Sequence, residues 1–115
     1  MQVKKGVNLS NLKREMYHAH KIMGEVCKEY GVHACITSGI DGNHEDSTLH
    51  YIGQALDFRT WWWWQQRAKL RKVRDEVQQR LSKISIYYQV VISGNCLHIE
   101  FDDRKTWIIK TRNLT

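Results

Sequence analysis

Two apolar stripes at helical spacing, one in each half of the chain, leave it few ways to fold. Leu12, Met16, Ala19, Met23, Val26 and Tyr30 recur at intervals of three and four, which places them on one side of a helix. The pattern predicts a helix that starts near Ser10, a residue type suited to capping, and stops at Gly31. Leu70, Val73, Val77, Leu81 and Ile84 repeat the spacing and predict a second helix from Gln65 to Lys83. Each stripe has to be buried against something. Short runs rich in β-branched and aromatic residues supply it: Val32 to Thr37, Gln54 to Phe58, Ile86 to Ile92 and Cys96 to Phe101 read as strands. Ser93-Gly94-Asn95 turns the last two into a hairpin, and Thr106 to Ile109 offers one more strand. Ser38 to Ser47 is polar, contains Gly39 and Gly42, and reads as a loop. The resulting order, helix, strand, loop, strand, helix, hairpin, defines an α+β fold with two main helices and a small, mostly antiparallel sheet.

At 115 residues this is one domain spanning residues 1–115. Hydrophobic residues at 42% and charged residues at 26% exclude a disordered chain, and no apolar run approaches the ~20 residues of a membrane span. The segment Met1-Gln2-Val3-Lys4-Lys5-Gly6 lacks the apolar stretch of a secretory signal, so synthesis in the cytoplasm is expected. Cys27, Cys35 and Cys96 form no CxxC pair and read as reduced thiols, two of them filling the core. The net charge of +6 points to an anionic partner, either a nucleic acid or a wall polymer carrying carboxylates and phosphates.

Chemistry concentrates in two places. In Thr48-Leu49-His50-Tyr51-Ile52-Gly53-Gln54-Ala55-Leu56-Asp57, a regular strand would point His50 and Asp57 to opposite faces. Gly53 supplies a break, and beyond it the small Ala55 shares a face with Asp57. An imidazole and a carboxylate brought together in this way begin a zinc site. In Cys96-Leu97-His98-Ile99-Glu100, alternation puts Cys96, His98 and Glu100 on one face and Leu97, Ile99 and Phe101 on the other. A polar row backed by an apolar row is expected where the polar side lines a site. His98 would complete a three-ligand set with a fourth position left for water, the arrangement of a catalytic zinc.

The spacing [S/T]-x-H-x-x-G-x-A-x-D, met here as Thr48, His50, Gly53, Ala55 and Asp57 and followed by His98 on a strand, resembles the zinc D-Ala-D-Ala carboxypeptidase and L-alanyl-D-glutamate endopeptidase family, peptidase M15. Residues 37–44 and Phe58-Arg59-Thr60 are similar to its small phage-type members, and the resemblance runs from about Leu12 to Asp102. It implies a zinc ion on His50, Asp57 and His98, and hydrolysis of peptide bonds in peptidoglycan stem peptides, as in a cell-wall lytic factor or endolysin. It also implies a general base three residues before the last His, or a His two residues before it; this chain has Asn95 and Cys96 there. Glu100 could serve as the base, or could instead accept the second N–H of a metal-bound imidazole. Many relatives carry a loop Arg for the substrate carboxylate. Ile40 and Asp41 stand here in its place, which makes Arg59 the substitute. His44 reads as a substrate contact or an exposed loop residue, and Thr48 as a loop buttress that the family places near the site. Cys96 reads as a small apolar filler or a fourth ligand. His18, His20 and His33 read as solvated or hydrogen-bonded side chains.

Two features lie outside that resemblance. Adjacent residues of Trp61-Trp62-Trp63-Trp64 cannot all share one helix face: either two rings pack onto the core and the others cover the helix start, or the run forms an aromatic platform beside the site for sugar rings or nucleobases. The second helix carries Arg67, Lys69, Arg71, Lys72, Arg74, Arg80 and Lys83 against Asp75 and Glu76, most of the chain's charge excess. Such a run is ordinarily a solvated face; it could also hold the protein to anionic wall polymer, or with the tryptophans bind single-stranded nucleic acid. Three readings follow: a zinc peptidase acting at the bacterial cell wall, a zinc-binding module of the same fold that has lost catalysis, and a basic nucleic-acid-binding protein.

Overall fold

The computed structural model describes residues 2–7, 9, 12–38, 54–60, 67–94 and 96–103. Its elements are β1 (Gln2–Val3), α1 (Arg14–Tyr30), β2 (Cys35–Ser38), β3 (Ala55–Arg59), α2 (Arg67–Ile84), β4 (Tyr88–Ser93) and β5 (Cys96–Phe101). The strands form one five-stranded sheet in the order β1-β2-β3-β5-β4. The expected α+β class and mostly antiparallel sheet are found: β2–β3, β3–β5 and β4–β5 pair antiparallel, and only the two-residue β1 joins β2 in parallel. That first strand gave no periodic signal, being too short to alternate.

Both helices follow their stripes. Met16, Ala19, Met23 and Val26 of α1, and Val73, Val77 and Leu81 of α2, are fully buried. Helix α1 begins later than its stripe, at Arg14; Lys13 before it is extended and makes no side-chain cap, while Leu12 is buried just outside the helix. Ser10 and Gln65 lie outside the described residues. Gly31 ends α1 at φ 66°, a left-handed conformation that glycine adopts without a Cβ clash, and Val32 N–H donates to the Cys27 carbonyl at 2.9 Å. No helix among the described residues is long and apolar enough to cross a membrane.

The helices cover one face of the sheet. Ile36, Leu56, Phe58, Tyr88, Val90, Leu97 and Ile99 form the core with the helical stripes, each such side chain contributing about 1.5–3 kcal/mol on burial. The Tyr88 hydroxyl donates to the Glu15 carbonyl at 2.7 Å, tying β4 to the first turn of α1. Strand β4 is outermost, and helix α2 closes its free edge. Arg74 Nε donates to the Val90 carbonyl at 2.9 Å, Gln78 Nε2 donates to the Tyr88 carbonyl at 3.1 Å, and Val90 N–H donates to Gln78 Oε1 at 2.8 Å. Polar helix residues thus satisfy backbone groups that would otherwise invite another strand.

Candidate functional site

The site is built on the other face of the sheet, and backbone register assembles it. Asp57 on β3 is directly opposite His98 on β5, with Ala55 opposite Glu100 on one side and Arg59 opposite Cys96 on the other. The alternation that sends Leu56, Phe58, Leu97 and Ile99 into the core therefore sends Asp57, Arg59, Cys96, His98 and Glu100 to a common polar face. Beyond β5, strand β4 contributes Gln89, Val91 and Ser93 opposite Glu100, His98 and Cys96. Beyond β3, strand β2 carries a bulge: Ile36 pairs with Phe58 and Ser38 with Asp57, so Thr37 is the extra residue. The Thr37 hydroxyl donates to the Asp57 carbonyl at 3.5 Å, which steadies β3 where its carboxylate is needed.

His98 sits between two carboxylates. Its Nδ1 lies 2.6 Å from Asp57 Oδ1, and its Nε2 lies 3.3 Å from Glu100 Oε2. All three side chains are largely enclosed, at 22% exposure for His98, 16% for Asp57 and 13% for Glu100. Burial pushes the imidazole down, but hydrogen bonds and charge attraction from Asp57 and Glu100 outweigh it, and the ring is raised to about 9. Without a metal, His98 is therefore an imidazolium at neutral pH. The Cys96 thiol is pushed up by burial and by the Asp57 charge, with Arg59 opposing, so it stays protonated in that state.

Of the residues that the sequence assigns to the site, Asp57, Arg59, Cys96, His98 and Glu100 come together on one face. His44, Thr48 and His50 lie outside the described residues, as do Gly53, Asn95, Trp61 to Trp64 and Thr106 to Ile109. Cys27 is core filler as expected, and burial raises its thiol to about 12. Cys35 differs. It lies opposite Arg59 and is only half-buried, because the core position of β2 belongs to Ile36. His18 and His33 are exposed and His20 half-buried. Sequence reasoning missed Gln89, Thr37 and Ser38 as neighbours of the site. Alternation along β4 could have indicated Gln89; the bulge that brings Ser38 opposite Asp57 leaves no mark in the residue pattern.

An imidazole nitrogen and a carboxylate oxygen already touch, both common zinc donors, and a second carboxylate stands at the other ring nitrogen. Among the described residues no group of three His, Cys, Asp or Glu side chains converges as a metal-binding set. The third donor expected from the sequence, His50, is outside them.

Fold and site together define an α+β domain that carries a carboxylate–imidazole–carboxylate cluster on the sheet face opposite its helices. Compared with known proteins, the chain matches no family model, no curated protein and no solved structure.

Proposed function

We propose that the chain is a zinc-dependent peptidase of the M15 kind that cleaves peptidoglycan stem peptides, with His50, Asp57 and His98 holding the metal. The observation that carries this reading is the cross-strand contact of Asp57 and His98, two residues 41 positions apart that the motif pairs as ligands and that meet at 2.6 Å. Bound zinc would polarise the scissile carbonyl and acidify its water. The chain's own residues would do the rest. Asp57 and His98 bind from adjacent strands whose register fixes their separation. Arg59, two residues beyond Asp57 on the same face, would receive a carboxylate of the stem peptide. Synthesis in the cytoplasm and action at the bacterial cell wall belong to the same proposal.

A second reading, a zinc-binding module that has lost catalysis, is favoured by one specific observation. Cys96 stands where the family's alternative base would be, and its thiol is held protonated by burial and by Asp57. A nucleic-acid role for α2 gains less support, since Arg74 is hydrogen-bonded to β4 and Arg80 is paired with Glu29 and Glu76.

The test is metal content by mass spectrometry, followed by digestion of purified peptidoglycan. The peptidase reading expects one equivalent of zinc in the wild-type protein, its loss in the double variant His50→Ala, His98→Ala, and release of new peptide termini. Zinc without turnover would select the module. A wild-type protein that takes up no zinc would sink both.

A further inference from the structure

We propose that Lys69, Arg71 and Lys72 form a docking surface for the phosphodiester chains of the bacterial wall, which holds the protein beside the peptides it cleaves. For the identity of the partner the inference rests on the peptidase reading above; the surface itself lies outside the metal site.

The first two turns of α2 hold five cations, Arg67, Lys69, Arg71, Lys72 and Arg74, before the first carboxylate, Asp75. No acidic residue stands in the first turn. Cations at this end oppose the helix macrodipole and repel one another at spacings of three and four, so helix formation gains nothing from them. Packing gains little either, since Arg71 and Lys72 are exposed and Lys69 is half-buried. Further along, Arg74 is bound to the Val90 carbonyl and Asp75, and Arg80 to Glu29 and Glu76. Among the described residues, no hydrogen bond or ion pair engages Lys69, Arg71 or Lys72. Their charge is left for a partner.

The surface stands at the end of the sheet that carries Arg59. Gln78 bonds to Tyr88 and Val90, and Arg74 to Val90, so α2 runs antiparallel to β4 and its earlier turns stand toward Ser93. Ser93 pairs with Cys96, and Cys96 with Arg59. A phosphate-bearing polymer would meet the basic turn at the edge of the sheet, while a stem-peptide carboxylate meets Arg59 on its open face. One guanidinium and two ammonium groups on long stems hold phosphate by charge and hydrogen bonds. Helix α2 contains no aromatic residue, so it offers none of the stacking faces on which single-stranded nucleic acid is held. That chemistry favours a polyol-phosphate chain over a nucleic acid.

The experiment is co-sedimentation of the full chain with purified cell walls, in the cold so that the walls stay undigested, with and without zinc. Walls that keep their phosphate polymer should retain the protein, and the same walls stripped of it by hydrofluoric acid should retain it at least about 10-fold more weakly. Arg71→Gln with Lys72→Gln should weaken retention on native walls about 10-fold and flatten the fall of log affinity with log salt by about 1.5. Lys4→Gln with Lys5→Gln, the same loss of charge at exposed positions beside β1 on the opposite edge of the sheet, should change neither. Two variant pairs that behave alike would reduce the effect to net charge or to none. Retention indifferent to the phosphate polymer would place the contact elsewhere, and tighter binding to single-stranded DNA at matched phosphate would make the partner a nucleic acid. Each of these outcomes overturns the proposal. A protein that takes up no zinc yet keeps its phosphate-dependent retention would remove the peptidase reading and leave this surface standing.

Discussion

The two faces of the sheet are cut from the same strands, yet they are held by different physics. Toward the helices, Leu56, Phe58, Leu97 and Ile99 are fully buried and Ile36 retains 1% exposure. Toward the site, the residues that alternate with them are, apart from the small Ala55, charged or polar, and Asp57, His98 and Glu100 are stabilised by one another. The apolar face is non-directional: any well-packed set of similar volume would hold it, and its contribution scales with buried area. On the polar face, direction is everything, because a carboxylate displaced by one register step would face the core instead of the imidazole. Buried area therefore resides mainly on one side, and paired charges on the other.

That division can be broken by substitution. The largest effect is expected on the apolar side: Phe58→Ala should reduce unfolding free energy by about 3–5 kcal/mol, read from urea titration. A loss under about 1 kcal/mol would mean that this face is not the core.

The next effect belongs to the polar side and depends on pH. The folded-state value of His98 is raised to about 9 from an ordinary 6.5, so metal-free protein gains its full stabilisation below pH 6.5 and loses it as pH rises through 9. At about 1.4 kcal/mol per unit, the change amounts to about 3 kcal/mol, and His98→Gln should flatten it. A wild-type stability that rises across this window would contradict the bracketed imidazolium.

A smaller effect is expected at the sheet edge. Gln78→Leu leaves the Val90 N–H and the Tyr88 carbonyl without their side-chain partner, and should cost about 2 kcal/mol in thermal or urea unfolding. Smallest of all, Arg80→Gln removes partly exposed pairs with Glu29 and Glu76 and should change stability by no more than about 1 kcal/mol at moderate salt. If Arg80→Gln were as damaging as Phe58→Ala, the contrast between a packed interior and a screened helical surface would fail.

Local pattern made much of this legible. The spacing of Met16, Ala19, Met23 and Val26, and of Val73, Val77 and Leu81, is a property of the chain that any helical backbone converts into a buried stripe. Alternation in Cys96 to Phe101 placed His98 and Glu100 together for the same reason. The start of α1 was less legible. Leu12 continues the helical spacing while lying outside the helix, because an apolar residue is buried equally well from the extended segment before it. Strand β4 likewise begins at Tyr88, whereas Ile86 sits in a turn at 59% exposure, so apolar character alone overstated its length.

By itself, then, the sequence determined both helices and strands β2 to β5 in outline, and which residues along each strand share a side, since these follow from backbone period and need no partner. It also offered Asp57 and His98 as members of one site, through a resemblance that set a motif ending at Asp57 beside a later His on a strand. Only the tertiary structure decided that β3 and β5 are neighbours in the register that sets those residues opposite each other. It alone inserted the bulge at Thr37, brought β1 alongside β2, and used Arg74 and Gln78 to close the sheet's edge. Strand pairing is a contact between segments distant in the chain. Its register is chosen by how the whole core packs, and no local window of residues records that choice.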